Sequence, residues 1–120
     1  PTTFTFSKNV LVLEFIGYDG IFAPKLKDAI PKNPREFFEK IIANMKRLHK
    51  AGLVHADLSA FNILNCNEKP VFIDFSQCIT LDSSRSNEYL ERDIRNICNF
   101  FKKIGLKADE AKVKIQITGK

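Results

Sequence analysis

Between Gly52 and Ser86 short apolar pieces alternate with clusters of chemistry-bearing polar residues, and a long amphipathic pattern flanks this region on each side. That order constrains the fold most. In the first pattern Phe37, Phe38, Ile41, Ile42, Met45 and Leu48 recur at helical spacing, while Glu36, Glu39, Lys40, Lys46 and Arg47 take the other side, which predicts a helix with one buried stripe. Asn33 offers an N-cap, Pro34 suits the first helical position and Gly52 supplies the stop. In the second pattern Leu90, Ile94, Ile97, Cys98, Phe101 and Ile104 share a face. Ser86 or Asn87 is the expected cap, Glu88 to Arg92 and Glu91 to Arg95 are expected ion pairs, and Gly105 ends the helix. Between the helices, Ile63-Leu64 and Val71-Phe72-Ile73 flank a polar turn from Asn65 to Pro70 and predict a small hairpin.

The flanks are less regular. Asn9 to Ile16, with Val10-Leu11-Val12-Leu13 running into Phe15 and Ile16, is a short apolar run with β-branched members that stops at Gly17 and predicts a buried strand. Tyr18 to Asn33 carries Gly20, Pro24 and Pro31 and is expected to be loop with one short helical turn. Beyond Gly105, Val113, Ile115 and Ile117 alternate like a strand, yet Asp109-Glu110-Ala111 equally opens a helix, and both readings stand.

A chain of 120 residues at 44% hydrophobic composition supports one core rather than two. It contains no run of the roughly 18 apolar residues that a bilayer crossing needs, and Pro1-Thr2-Thr3-Phe4 lacks a basic start followed by an apolar core. The expectation is a soluble, unexported, cytoplasmic protein with no membrane partner, and, since no Met precedes Pro1, a piece of something longer. Cys66, Cys78 and Cys98 form neither a C-x-x-C pair nor a zinc spacing, so buried reduced thiols are expected. The net charge of +5 gathers towards the C-terminus, where Phe100 to Lys120 carries six lysines against Asp109 and Glu110. Two readings remain for that end: a face for phosphate-rich RNA, or a solvated helix surface.

The chemistry is concentrated in His55-Ala56-Asp57-Leu58-Ser59-Ala60-Phe61-Asn62 and Ile73-Asp74-Phe75-Ser76. Phosphoryl transfer needs a carboxylate to orient the attacking hydroxyl and take its proton, together with oxygen ligands that hold Mg²⁺ against the phosphates. Asp57 suits the first task, and Asn62 and Asp74 suit the second. An Asp followed five residues later by Asn, then an Asp-Phe pair at the end of the next apolar strand, has the spacing of a protein-kinase catalytic loop and metal aspartate. The competing reading makes Asp57 and Asn62 caps of a turn and Asp74 the end of a hairpin. His55 is read as a scaffold bonded to backbone.

In these motifs the sequence resembles the RIO family of atypical serine/threonine protein kinases, in its first subgroup. The matching stretches are Val10 to Gly17, His55 to Ser59 through Asn62-Ile63-Leu64, Ile73-Asp74-Phe75-Ser76-Gln77, and Glu88 to Asp93 running into Ile97. The resemblance implies an α+β fold: a kinase-like C-terminal lobe, mainly helical with a small β-hairpin, with residues 1–17 as hinge strand and linker, 18–120 as the lobe, and the N-lobe absent from this chain. It implies Asp57 and Asp74 as catalytic residues, Asn62 and Asp74 as Mg²⁺ ligands, and the backbone of Glu14 and Ile16 as the adenine contacts of ATP. Asp93 would answer to the kinase aspartate that holds the catalytic loop's backbone; an ordinary helix surface charge is the other reading. The family further implies phosphoryl transfer to protein Ser/Thr or ATP hydrolysis, a transient acyl-phosphate on Asp74, and a role in maturation of the small ribosomal subunit, whose precursor RNA and protein would be partners.

Departures from ordinary protein kinases point the same way: Ser59 stands where a lysine is usual, Ser76 stands where a glycine is usual, and Asp74 lies too close to the next helix for an activation segment. Gly17, Gly20, Gly52, Gly105 and Gly119 build no G-x-G-x-x-G loop, so the phosphate-covering lobe is expected from the protein's own N-lobe. Two rivals are a small-molecule phosphotransferase of the aminoglycoside or choline kinase type, against which Ser76-Gln77 and Glu91-Arg92-Asp93 argue, and a non-catalytic kinase remnant that binds RNA or ribosomal protein.

Overall fold

The computed structural model describes residues 23–120; the expected strand from Asn9 to Ile16, with Glu14, Ile16 and the boundary after Gly17, lies outside them. Helix α1 spans Pro34–Lys50 and begins as its sequence dictates. The Asn33 side chain accepts from the Glu36 amide at 3.2 Å and donates to the Glu36 carboxylate at 3.1 Å, satisfying a donor that the first turn leaves orphaned. Its predicted stripe, Phe37, Phe38, Ile41, Ile42, Met45 and Leu48, is buried in full. Gly52 follows with φ +85°, a left-handed turn that a side chain would resist, and it aims the chain into strand β1, Leu53–Val54.

Strands β2, Ile63–Cys66, and β3, Lys69–Phe72, form the expected hairpin, antiparallel with Ile63 opposite Phe72 and Cys66 opposite Lys69. Its turn is tighter than the run Asn65 to Pro70 suggested. Only Asn67 and Glu68 lie between the strands, both at positive φ, 51° and 71°, the backbone that matches the twist of a two-residue hairpin. Asn65 is consequently in the strand and buried, its amide donating to the Ala29 carbonyl and its oxygen accepting from the Glu68 amide, both at 2.9 Å. A second pairing was not legible: β1 runs antiparallel to β4, Ile79–Thr80. The loop before α1 makes one turn at Lys25 to Ala29 and lies along β2 through Leu26 N to Ile63 O at 2.8 Å.

Helix α2, Ser86–Lys103, buries Leu90, Ile94, Ile97, Cys98 and Phe101. Its entry departs from expectation. Arg85 is the cap residue and, having no side-chain acceptor, makes no cap bond, while the hydroxyl of the expected cap Ser86 donates to the Leu81 carbonyl at 3.0 Å. The expected i,i+4 ion pairs are replaced by Arg85–Glu88 at 3.1 Å, Lys114–Glu91 at 2.5 Å and Arg95–Glu110 at 3.8 Å. A third helix packed alongside supplies the partners of Glu91 and Arg95, whereas Glu88 pairs with Arg85 at the start of α2 itself. Gly105, φ +98°, closes α2 as read, with its amide on Lys102 and the Leu106 amide on Phe101.

The ambiguous C-terminal segment is helix α3, Glu110–Thr118, whose first turn is capped by the Asp109 carboxylate accepting from Ala111 N and Lys112 N at 2.9 and 3.3 Å. The alternation of Val113, Ile115 and Ile117 is therefore accidental to a helix: Val113 and Ile117, four apart, are buried, and Ile115 is 53% exposed. Phe101 lies at the junction of the helices, its ring 6.4 Å from Phe37, 5.1 Å from Phe38 and 5.3 Å from Phe100. Of the three thiols only Cys98 is buried; Cys66 and Cys78 are partly exposed. Among the described residues no helix is long and apolar enough to cross a membrane.

Candidate functional site

The loop between β1 and β2, residues 55–62, is held from below by side chains of α2. Asp93 is 1% exposed; its two carboxylate oxygens each accept a backbone N–H at 2.9 Å, from Ala56 and from Leu58. One turn of helix supplies two more contacts: Arg92 donates to the Ala56 carbonyl and Asn96 to the Leu58 carbonyl, both at 3.2 Å. Four backbone groups of a three-residue stretch are thereby satisfied by one helix face. The clamp matters because Ala56 sits at φ 73°, a conformation costing an L-residue roughly 1–2 kcal/mol. Of the two readings of Asp93, the geometry selects the scaffold and not the surface charge. Burial pushes its carboxyl up to about 6, against the pull of the Leu58 and Ala56 amides and the Arg92 charge.

His55 joins this loop to the segment after β3. Nδ1 receives the Asp57 amide at 3.2 Å and Nε2 lies 2.8 Å from the Ile73 carbonyl. An amide can only donate and a carbonyl can only accept, so these two partners fix a neutral ring protonated at Nε2. The ring is buried and its centroid lies 4.9 Å from that of Phe75. His55 is the scaffold that the sequence suggested.

Asn62 closes the site. Its amide nitrogen donates to the Asp57 carbonyl at 2.7 Å and to the Asp57 carboxylate at 3.3 Å, while its own backbone carbonyl accepts from Ile73 N at 2.9 Å. Asp57 and Asn62 are thus in direct contact, and Asp74 is the residue next after one bonded to both His55 and Asn62. Asp74 is exposed, has φ 58°, and receives the Ser76 hydroxyl at 2.6 Å and the Ser76 amide at 3.4 Å, both on Oδ1. Those bonds from Ser76 hold its carboxyl below the usual aspartate range.

The chemistry of the donor set suits a hard divalent cation. Asn62 spends its amide nitrogen on Asp57, so its oxygen is left to coordinate, and among the described residues no hydrogen bond ends on that oxygen or on Asp74 Oδ2. Two protein oxygens supplemented by phosphates are the usual ligand set for Mg²⁺. Among the described residues no group of three or more His, Cys, Asp or Glu side chains makes an all-protein metal cage. Sequence reading brought Asp57, Asn62, Asp74, His55 and Asp93 to the site but missed Arg92 and Asn96. Their spacing from Asp93, one residue before and three after, was the available signal.

Comparison with known proteins agrees in family and in fold. A family model described as the RIO domain matches residues 1–114. The chain is 45% identical over 114 residues to a RIO-type serine/threonine-protein kinase Rio1 of Methanocaldococcus jannaschii, covering 94% of this chain and 39% of that protein. It is 38% identical to the Rio1 of Thermoplasma acidophilum, over all of this chain and 63% of that one, and 39% identical to human serine/threonine-protein kinase RIO3, over 89% and 21%. A crystal structure of the Rio2 kinase from Chaetomium thermophilum, an ADP/Mg²⁺-phosphoaspartate complex, superposes with a TM-score of 0.63 at 25% identity over 82% of this chain and 34% of that one. The chain spans less than two thirds of each of these proteins, from 21% of human RIO3 to 63% of the Thermoplasma Rio1.

Proposed function

The chain belongs to the RIO family of serine/threonine-protein kinases, and from that premise we propose that it carries the catalytic lobe of an enzyme that transfers the γ-phosphoryl group of ATP to protein Ser/Thr or to water. One observation carries the reading. Asn62 donates its side-chain amide to Asp57 and accepts with its backbone carbonyl from Ile73, the residue preceding Asp74, and this linkage of Asp57, Asn62 and the Asp74 segment supports their acting together. In this reading Asp57 orients the attacking hydroxyl and takes its proton. Asn62 and Asp74 would hold Mg²⁺, which supplies neutralisation of the phosphate charge. Adenine would be bound by the Glu14 carbonyl and Ile16 amide, outside the described residues.

The phosphoaspartate of the Rio2 relative supports a second route through the same residues. Asp74 Oδ2 attacks the γ-phosphorus, the bond to the ADP oxygen breaks and ADP leaves. Water then attacks phosphorus, the bond to Asp74 breaks, and phosphate and the free carboxylate result. We further propose, by family, a cytoplasmic role on precursors of the small ribosomal subunit.

In the complete protein, Asp57→Ala lowers protein phosphorylation by about 10²-fold or more with nucleotide affinity nearly unchanged; a parallel loss of affinity contradicts the base role. Asp74→Ala removes the Mg²⁺ dependence of nucleotide binding. Labelling from γ-labelled ATP separates the routes: label released by hydroxylamine and missing in Asp74→Asn marks the acyl-phosphate, whereas hydroxylamine-resistant label marks Ser or Thr.

A further inference from the structure

The backbone on either side of Asp74 is firmly tied. Ile73 is bonded through its carbonyl to His55 and through its amide to Asn62, and Phe75 is buried with its ring against His55. The Asp74 side chain itself is exposed, and the hydrogen bonds it receives among the described residues come from Ser76, both on Oδ1. Asp74 also occupies the left-handed region at φ 58°, which Asp tolerates when its carboxylate bonds locally. A glycine at position 76, usual in ordinary protein kinases, would keep the amide and remove the hydroxyl.

We propose that Ser76 is a positioning residue for Asp74: its hydroxyl and amide occupy Oδ1, fix the side-chain rotamer, and leave Oδ2 as the oxygen presented to the divalent ion and the γ-phosphoryl group. The inference rests on the reading of Asp74 as a metal ligand and goes beyond it by distinguishing its two oxygens. A carboxylate with one oxygen held binds a cation through the other alone, and it does so without first giving up rotameric freedom. A local turn bond with no part in ligand binding would affect stability and nothing else.

The test is ADP binding by titration calorimetry in the complete protein, across a Mg²⁺ series and in EDTA, for wild type, Ser76→Ala, Ser76→Thr and Asp74→Ala, with thermal unfolding of each. Ser76→Ala is expected to raise the Mg²⁺ concentration for half-maximal ADP binding about tenfold, to leave Mg²⁺-free affinity unchanged, and to be rescued by Thr. Two results overturn the proposal while sparing Asp74: a Ser76→Ala variant with the wild-type Mg²⁺ requirement, or one with a lower requirement, which would make the hydroxyl a competitor of the ion. If Asp74→Ala also keeps the wild-type Mg²⁺ dependence, the ligand assignment of Asp74 fails and this inference fails with it.

Discussion

Asp93 illustrates how one buried carboxylate is bound to a loop and to pH at once. Its two oxygens take the Ala56 and Leu58 amides, yet burial dominates and lifts its carboxyl to about 6 from an ordinary 3.8. The fold therefore favours the protonated form: this group's contribution to stability is full below about pH 4 and is lost as pH rises through 6. A shift of that size corresponds to about 3 kcal/mol of linkage. A carboxyl-carbon NMR titration of Asp93 is expected to centre near 6. Urea unfolding from pH 4 to 7 is expected to show wild type losing stability relative to Asp93→Asn, whose amide does not titrate. The same substitution at pH 7 leaves one of the two backbone donors facing an NH₂ group and costs about 1–3 kcal/mol; an unchanged midpoint would remove Asp93 from the clamp.

At the scale of elements, the helices contribute faces rather than isolated residues. Arg92, Asp93 and Asn96 share one face of α2 and hold the loop, whereas the opposite stripe, Leu90, Ile94, Ile97 and Phe101, is core. Removing one donor by Asn96→Ala is expected to cost about 1 kcal/mol, read as a lower denaturation midpoint. Helix α3 gives a sharper contrast. Ile117→Ala empties a buried site and is expected to cost about 2–4 kcal/mol, while Ile115→Ala, exposed one half-turn away, stays within about 0.5 kcal/mol. Equal losses at both positions would mean that the segment is not the helix seen here. Sequence left this element open because nine residues with three alternating β-branched positions fit either period, and the cap, Asp109, was the feature that favoured the helix.

For the whole molecule, the proposed function gives this chain the acceptor-activating and metal-binding part of a phosphoryl-transfer site, while its glycines build no phosphate-covering G-x-G-x-x-G loop. Positioning and charge neutralisation make up nearly all of such catalysis. Residues 1–120 as a separate polypeptide are therefore expected to bind nucleotide weakly and to turn over ATP far more slowly than the complete protein; equal rates in a monodisperse preparation, abolished by Asp57→Ala, would contradict this. Features that rest on local periodicity and spacing were readable from the residues alone: helices α1 and α2 with their buried stripes, the hairpin, the stops at Gly52 and Gly105, and the order of Asp57, Asn62 and Asp74. These are set by backbone propensity and by neighbours within a few residues. Packing between distant elements makes Asp93 a buried clamp, carries Glu91 and Arg95 across to Lys114 and Glu110, and pairs β1 with β4. In each case the partner lies more than ten residues away, and whether a helix charge faces water or a backbone amide depends on which element packs against it.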